Sequence, residues 1–243
     1  MSTNRQLLLA IDTSGAEAGL VLAAGTTIDV ATLASDGGFS RTEDLAAQAS
    51  GLLSRRGYSA RDLTAVAAVV GPGSYTGLRS GLAFLRGLTF GTDVPAASIG
   101  ALELLAWRAA AAGETAIVIL PAGKGRSLVG VYACGQGEVE EVAAPAMVDD
   151  DEVPSCVLSL ENHGGIAITP STASTGLRAA ALIRGIELRV PAPGEAFARL
   201  ARLATARIAN GRTTRTSTLL PVYVGLAAVR PPANVRNVSS SRE

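Results

Sequence analysis

Histidine is almost missing from this chain. His163 is the only one among 243 residues, which removes H-E-x-x-H and every other metal site built on two histidines. Lysine is as scarce: Lys124 is the only one, so any mechanism that needs an amine side chain must use it. Cys134 and Cys156 are too few for a disulfide framework and have no C-x-x-C spacing, which fits a reducing, cytoplasmic compartment. Charge of one sign is lacking too. Lys and Arg total 21 and Asp and Glu total 21, so no global field draws in a polyanion, and nucleic-acid binding by this chain alone is not indicated. No apolar run approaches the roughly 18 residues of a membrane span. The run from Leu7 to Ile11 stops at Asp12, and the expectation is a chain neither exported nor inserted in a membrane.

What is present is a globular composition, 48% hydrophobic, enough for one large core or two small ones. Residues 6–13, 17–24 and 26–34 are apolar runs separated by short Gly-bearing turns, which predicts an antiparallel meander. Ser40-Arg-Thr-Glu43 has capping-box spacing, and Leu45, Ala49, Leu52 and Leu53 follow at helical intervals, predicting an amphipathic helix over 41–56. Ala65 to Val70 reads as a strand buried on both faces. A loop, a helix over 76–91 and a strand near 94–98 complete a ribonuclease-H-like order of mixed sheet and crossover helices.

A second βα region is expected after a helix at 100–112, with strands near 115–120, 126–133 and 139–143 and helices near 173–184 and 195–210. LLPVYVG (219–225) reads as a final strand-like segment. The expected organisation is an N-terminal lobe over 1–103, a smaller lobe over 104–229, and a tail over 230–243 without apolar periodicity, expected to be disordered.

The stretch GPGSYTGLRSGLAF (71–84) carries the functional question. Gly71-Pro-Gly-Ser74, between a strand and a helix, offers backbone N–H groups at a helix N-terminus, a geometry that can hold an anion. Together with Asp12, Thr13 and Ser14 at the end of the first strand, Gly73 and Ser74 are candidate nucleotide-binding residues. Against this, neither the Walker pattern nor G-x-G-x-x-G is satisfied, and a tight strand-to-helix turn explains the glycines as well. The helix that follows is unusual, because Gly77, Gly81, Gly87 and Gly91 each cost about 1 kcal/mol relative to alanine in a helix interior.

Winding that helix at about 100° per residue sets Leu78, Leu82, Leu85 and Leu88 on one face and Ser80, Phe84, Gly87 and Gly91 on another. The second face suits close approach of another helix, with Arg79 and Arg86 along one edge. The expected protein interface comprises Gly77, Ser80, Gly81, Phe84 and Gly87, flanked by Arg79 and Arg86 and extended by Leu45, Ala49 and Leu52. Burial against the chain's own second lobe is the competing reading. On the interface reading, Gly81→Leu breaks association and leaves much of the fold intact.

Other motifs carry less. Asp149-Asp-Asp-Glu152 lacks the interleaved glycine of an EF-hand and reads as a solvated charge run before a strand. Gly123-Lys-Gly-Arg-Ser127 breaks the Gly-Lys-Ser/Thr pattern and reads as a surface hairpin. His163 in Asn-His-Gly-Gly reads as a surface turn residue, and no G-x-S-x-G elbow is present.

LLLAIDTSG (7–15), GPGSYTGLRSGLAF (71–84), Arg86-Gly87, PAASIGALELLA (95–106) and LLPVYVG (219–225) together resemble the TsaB (YeaZ) family of tRNA threonylcarbamoyladenosine (t6A) synthesis. The likeness is strong over the first half and faint in the second. Pro121-Ala-Gly-Lys-Gly-Arg126 stands where that family usually has an Asp-Ala-Arg segment, and Arg41-Thr-Glu-Asp-Leu45 where His-Ser-Glu-x-Leu is common. The resemblance implies a two-lobed fold of the actin, sugar kinase and Hsp70 type with a reduced second lobe. It implies a non-catalytic scaffold that docks on the larger paralogue TsaD to support threonylcarbamoyl transfer to N6 of the adenosine beside the anticodon. It implies TsaE as an ATPase partner, tRNA reached through the complex, and no cofactor bound by this chain alone, ATP and a divalent metal arriving through partners. A homodimer through the same helix surface is compatible with it. Two other classes stand beside it: an independent ATP-dependent small-molecule kinase or ATPase of the same fold, and a metallopeptidase, which the single histidine disfavours.

Overall fold

Period-two burial along the first strand organises the layers. The computed structural model describes residues 6–15, 17–33, 35–36, 39–40, 44–160, 166–169, 185–191 and 195–224. In β1 (Leu7–Asp12), Leu7, Leu9 and Ile11 enter one hydrophobic cluster while Leu8 and Ala10 enter another. Successive side chains of a strand point to opposite faces, so a run without a polar residue has to be covered on both. β1 pairs antiparallel with β2 (Gly19–Ala24), and β2 pairs antiparallel with β3 (Thr27–Thr32). A small two-stranded ribbon follows, β4 (Ser35–Asp36) with β5 (Phe39–Ser40), and then helix α1 (Leu45–Ser54). The expected capping box at 40–43 and the first turn of the helix expected over 41–56 lie outside the described residues.

β6 (Ala65–Gly71) lies parallel to β1, helix α2 (Tyr75–Leu88) crosses over, and β7 (Pro95–Gly100) lies parallel to β6. The resulting order β3-β2-β1-β6-β7 is the ribonuclease-H-like lobe expected from the pattern. α1 and α2 cover one face of this sheet, where Leu52 and Leu85 are fully buried. Each such leucine contributes about 1.5–3 kcal/mol of burial.

Helix α3 (Ala101–Ala109) leads to the second sheet. β8 (Thr115–Gly123), β9 (Arg126–Cys134) and β10 (Val139–Asp149) form an antiparallel meander, longer at β10 than expected. The β8–β9 turn is the hairpin expected at Gly123-Lys-Gly: Lys124 and Gly125 have φ of 56° and 72°, as a two-residue turn matching strand twist requires. Helix α4 (Val153–Ser159) covers the outer face of this sheet, and β11 (Ile166–Ile168) and β12 (Glu187–Arg189) extend it in parallel. The acidic run at 149–152 thus precedes a helix, not the strand expected: Asp149 ends β10, Asp150 accepts from the Ser127 hydroxyl at 2.7 Å, and Glu152 stands at the helix N-cap, where negative charge is favoured. His163 and the helix expected near 173–184 lie outside the described residues.

From residue 196 the chain returns to the first lobe. Helix α5 (Ala196–Ala209) packs on β1, β2, β3 and β7, and β13 (Thr214–Arg215) adds antiparallel to β7. A division of the chain at 103 and 104 therefore leaves α5 and β13 with the wrong sheet. α3 and α5 form the middle layer between the two mixed sheets. They are joined by Trp107 Nε1, which donates to the Arg199 carbonyl at 3.1 Å, and by an ion pair between Arg207 and Glu103. Segment 219–224 is not a strand. It is an extended strap held by Val222 N–H to the Val70 carbonyl at 2.7 Å, with Leu219 buried and Leu220 68% exposed. The expected tail over 230–243 lies outside the described residues.

Candidate functional site

Two places compete for function: the cleft between the lobes and the outer surface of α2. The cleft has a volume of about 930 Å³. Its polar end holds Asp12, Ser14, Gly73 and Ser74, and its walls are apolar, among them Leu104, Leu128 and Met147. The structure thus brings together four of the five residues expected around a nucleotide. Thr13 is different. It is buried and turned under α2, where its Oγ1 lies 2.4 Å from the position a Gly81 Cβ would take.

The polar groups at this end are committed to one another. Asp12 Oδ1 accepts from the Ser14 N–H at 2.8 Å and from the Ser14 hydroxyl at 2.6 Å. The Ser74 N–H donates to the Ser14 carbonyl at 2.7 Å, the Gly77 N–H to Ser74 Oγ at 3.2 Å, and the Leu78 N–H to the Ser74 carbonyl at 2.9 Å. The Leu78 bond is the first i→i−4 bond of the helix and the Gly77 bond its N-cap, so the turn is held in place, while the Tyr75 and Thr76 N–H groups have no described acceptor. Burial pushes the Asp12 carboxyl above its ordinary range, against the opposing effect of the Ser14 bonds and then of the Arg108 charge. Among the described residues no three of His, Cys, Asp and Glu converge as metal ligands. Burial also pushes the Cys134 thiol up to about 11, far from a reactive thiolate.

The glycines of the motif explain the contact. A Cβ on Gly73 would lie 2.3 Å from the Ser14 carbonyl oxygen, one on Gly77 2.1 Å from the Thr13 carbonyl oxygen, and one on Gly81 2.4 Å from Thr13 Oγ1. Gly77 and Gly81 form one edge of the helix and Gly73 stands just before its N-cap, and only hydrogen at these places lets α2 lie against the β1–β2 turn. Gly77 and Gly81 are therefore corrected from an outer interface to an inner contact. Leu45, Ala49 and Leu52 are core residues, at 2%, 2% and 0% exposure, and Phe84 packs half-buried on the same core. Gly91, with φ of 75°, lies beyond the helix end in its closing turn.

The true outer stripe of α2 is Thr76, Arg79, Ser80, Ala83 and Gly87, running on to Phe90, which is 89% exposed. Of the residues expected there, Arg79, Ser80 and Gly87 are on it, and Arg86 is half-buried at its edge. Beside it α1 exposes Ala46, Ala47, Ser50 and Ser54, so two adjacent helices present small residues to solvent. The missed residues had a signal: Ala46, Ser50 and Ser54 recur at four-residue spacing opposite the leucines.

The strap closes one side of this surface. Tyr223 stacks on Tyr75 with ring centroids 5.4 Å apart and accepts from Arg79 Nε at 3.1 Å, while the Arg79 guanidinium sits 4.0 Å over the Tyr75 ring. Arg86 Nη2 donates to the Leu219 carbonyl. Arg207 is spent on Glu103 and on the Ser98 carbonyl inside the middle layer.

The comparisons with known proteins agree with this architecture. A family model described as TsaD, tRNA N6-adenosine threonylcarbamoyltransferase, matches residues 42–209. The chain is 32% identical over 82 residues to the tRNA threonylcarbamoyladenosine biosynthesis protein TsaB of Bacillus subtilis (strain 168), a match spanning 34% of this chain and only 36% of that protein's length. YeaZ from Pseudomonas aeruginosa has the same fold, with a TM-score of 0.66 at 22% identity over 90% of this chain and 100% of that one. A second structure, described as similar to peptidase YeaZ from Pseudomonas aeruginosa, gives a TM-score of 0.68 at 21% identity over 90% of this chain and 99% of that one. With more than half of its length matched by the family model, this chain belongs to the TsaD family, and it shares its fold with YeaZ.

Proposed function

We propose that this protein is the accessory scaffold of t6A synthesis, docking through the outer faces of α1 and α2 on a larger TsaD-type paralogue that performs threonylcarbamoyl transfer. The observation that carries this reading is the contrast on α2. Its inner glycines are spent on the β1–β2 turn, while Ala83 and Gly87 lie open beside a half-buried Ser80, with Phe90 exposed at the end. Adjacent helices with small exposed residues allow the close backbone approach of a helix pair from another chain. Neither a Walker pattern nor G-x-G-x-x-G stands at the cleft turn, which supports a subunit that does not hold the reacting nucleotide. ATP, a divalent metal, the TsaE ATPase and tRNA then come to the complex through its other members.

The test is light scattering on size exclusion of this protein, alone and mixed with the TsaD-type paralogue of the same genome. A one-to-one complex, formed at the expense of any homodimer and lost with Gly87→Leu, is the expected result. Hydrolysis of ATP by the purified chain, with no complex at micromolar concentration, would replace this reading with that of an independent ATPase.

A further inference from the structure

Between α2 and the strap lies a shallow slot of about 510 Å³ lined by Arg79, Leu82, Arg86, Leu220, Pro221 and Tyr223. Its two cations, like Arg55, Arg61, Arg126 and Arg202, have no described carboxylate partner, and they are set apart by sharing one slot. Arg56, Arg108, Arg189, Arg199, Arg207, Arg212 and Arg215 each have a carboxylate within ion-pair distance. The contacts of Arg79 are an aromatic face and a phenol, and that of Arg86 is a carbonyl. No described carboxylate pairs with either. The Nε–H of Arg86 is moreover buried without an acceptor, a standing cost in the free protein.

We propose that this slot receives a carboxylate side chain of the docking partner, held by Arg79 and Arg86, with an adjacent apolar side chain against Leu220 and Pro221. The proposal rests on the docking reading above and names the chemistry of its anchor. Seating on Tyr75 and bonding to Tyr223 hold the Arg79 guanidinium in place before any partner arrives, so little freedom is lost on pairing. A planar guanidinium presents paired donors that match a carboxylate. Leu220, 68% exposed, and Pro221 supply the apolar rim. A nucleic-acid backbone is a poorer fit, since it gains affinity from many cations in a row, whereas here two stand between apolar walls.

The experiment is titration calorimetry of the nuclease-treated TsaD-type paralogue into wild type, Arg79→Gln, Arg79→Lys, Tyr223→Phe and Gly87→Leu, across a salt series. Arg79→Gln should bind about tenfold more weakly with a flatter salt dependence, as expected for loss of an interfacial charge pair. Arg79→Lys should recover part of that loss, and Tyr223→Phe, which keeps the charge, should stay within about twofold of wild type. If Gly87→Leu abolishes binding while Arg79→Gln binds as wild type, the slot is not the anchor, though the docking face stands. If Tyr223→Phe costs as much as Arg79→Gln and the salt dependence is unchanged, the arginine acts only by fastening the strap. Undiminished binding by Gly87→Leu removes the docking face, and binding that needs RNA shows that the anion is a phosphate.

Discussion

The inner and outer edges of α2 carry the same kinds of residue to opposite ends. Gly73, Gly77 and Gly81 face the β1–β2 turn at distances that exclude even a methyl group, whereas nothing lies within 4 Å of a Cβ on Gly87. Polar groups divide in the same way. Asp12, Ser14 and Ser74 on the cleft side bond one another, while Arg79 on the outside meets no described carboxylate. On the cleft side these bonds fix the β1–β2 turn against the start of α2, whereas the outer face of α2 keeps interactions that a second chain can use.

The comparison can be broken most strongly in the middle layer behind the cleft. Glu103→Ala leaves Arg207 buried without its carboxylate and should cost about 3–5 kcal/mol in denaturant unfolding; a loss below about 1 kcal/mol would show that this interior charge is not committed. Gly77→Ala comes next, at about 2 kcal/mol or more of destabilisation, because the new methyl meets backbone that cannot yield. The same change at Gly87 should have the opposite sign, a gain of about 0.5–1 kcal/mol from helix propensity at an open site. Equal effects at the two glycines would erase the distinction between the edges. By the same reasoning, Gly81→Leu should unfold the protein before it tests any interface.

The smallest effect is a pH dependence. Burial holds the folded-state pKa of Asp12 above its ordinary value, so the folded protein binds that proton more tightly than the unfolded chain. The contribution of Asp12 to stability is full below its unfolded pKa and is lost as the pH rises through the folded one. Asp12→Asn keeps an oxygen to accept from Ser14 and does not titrate. Its stability relative to wild type should therefore rise from about pH 4 toward neutrality, read from urea midpoints, and a flat difference would mean that the carboxyl is well solvated.

Much of this was legible in residue order. Apolar runs separated by Gly-bearing turns pointed to β1 to β3, the apolar block at 65–70 to a doubly covered β6, and α5, expected at 195–210, spans Ala196–Ala209. The faces of the helices were less legible. Leu45, Ala49 and Leu52 sit at core spacing, and a helical wheel cannot tell a glycine that admits a neighbouring turn from one that faces water, because both lack a side chain. Segment 219–224 looked like a strand because Leu219, Leu220, Val222, Tyr223 and Val224 are apolar or aromatic, but the edge of β7 is taken by Thr214–Arg215 and the strap lies over α2 instead.

The sequence by itself determined the family, the ribonuclease-H-like order of the first lobe, and the absence of a two-histidine metal site, since these follow from local periodicity and residue identity. Only the tertiary structure decided which glycines are inside, that α5 and β13 return to the first sheet, and that Arg79 and Arg86 share a slot with Tyr223. Each of these depends on contacts between residues far apart in the chain, and the spacing of neighbours carries no record of them.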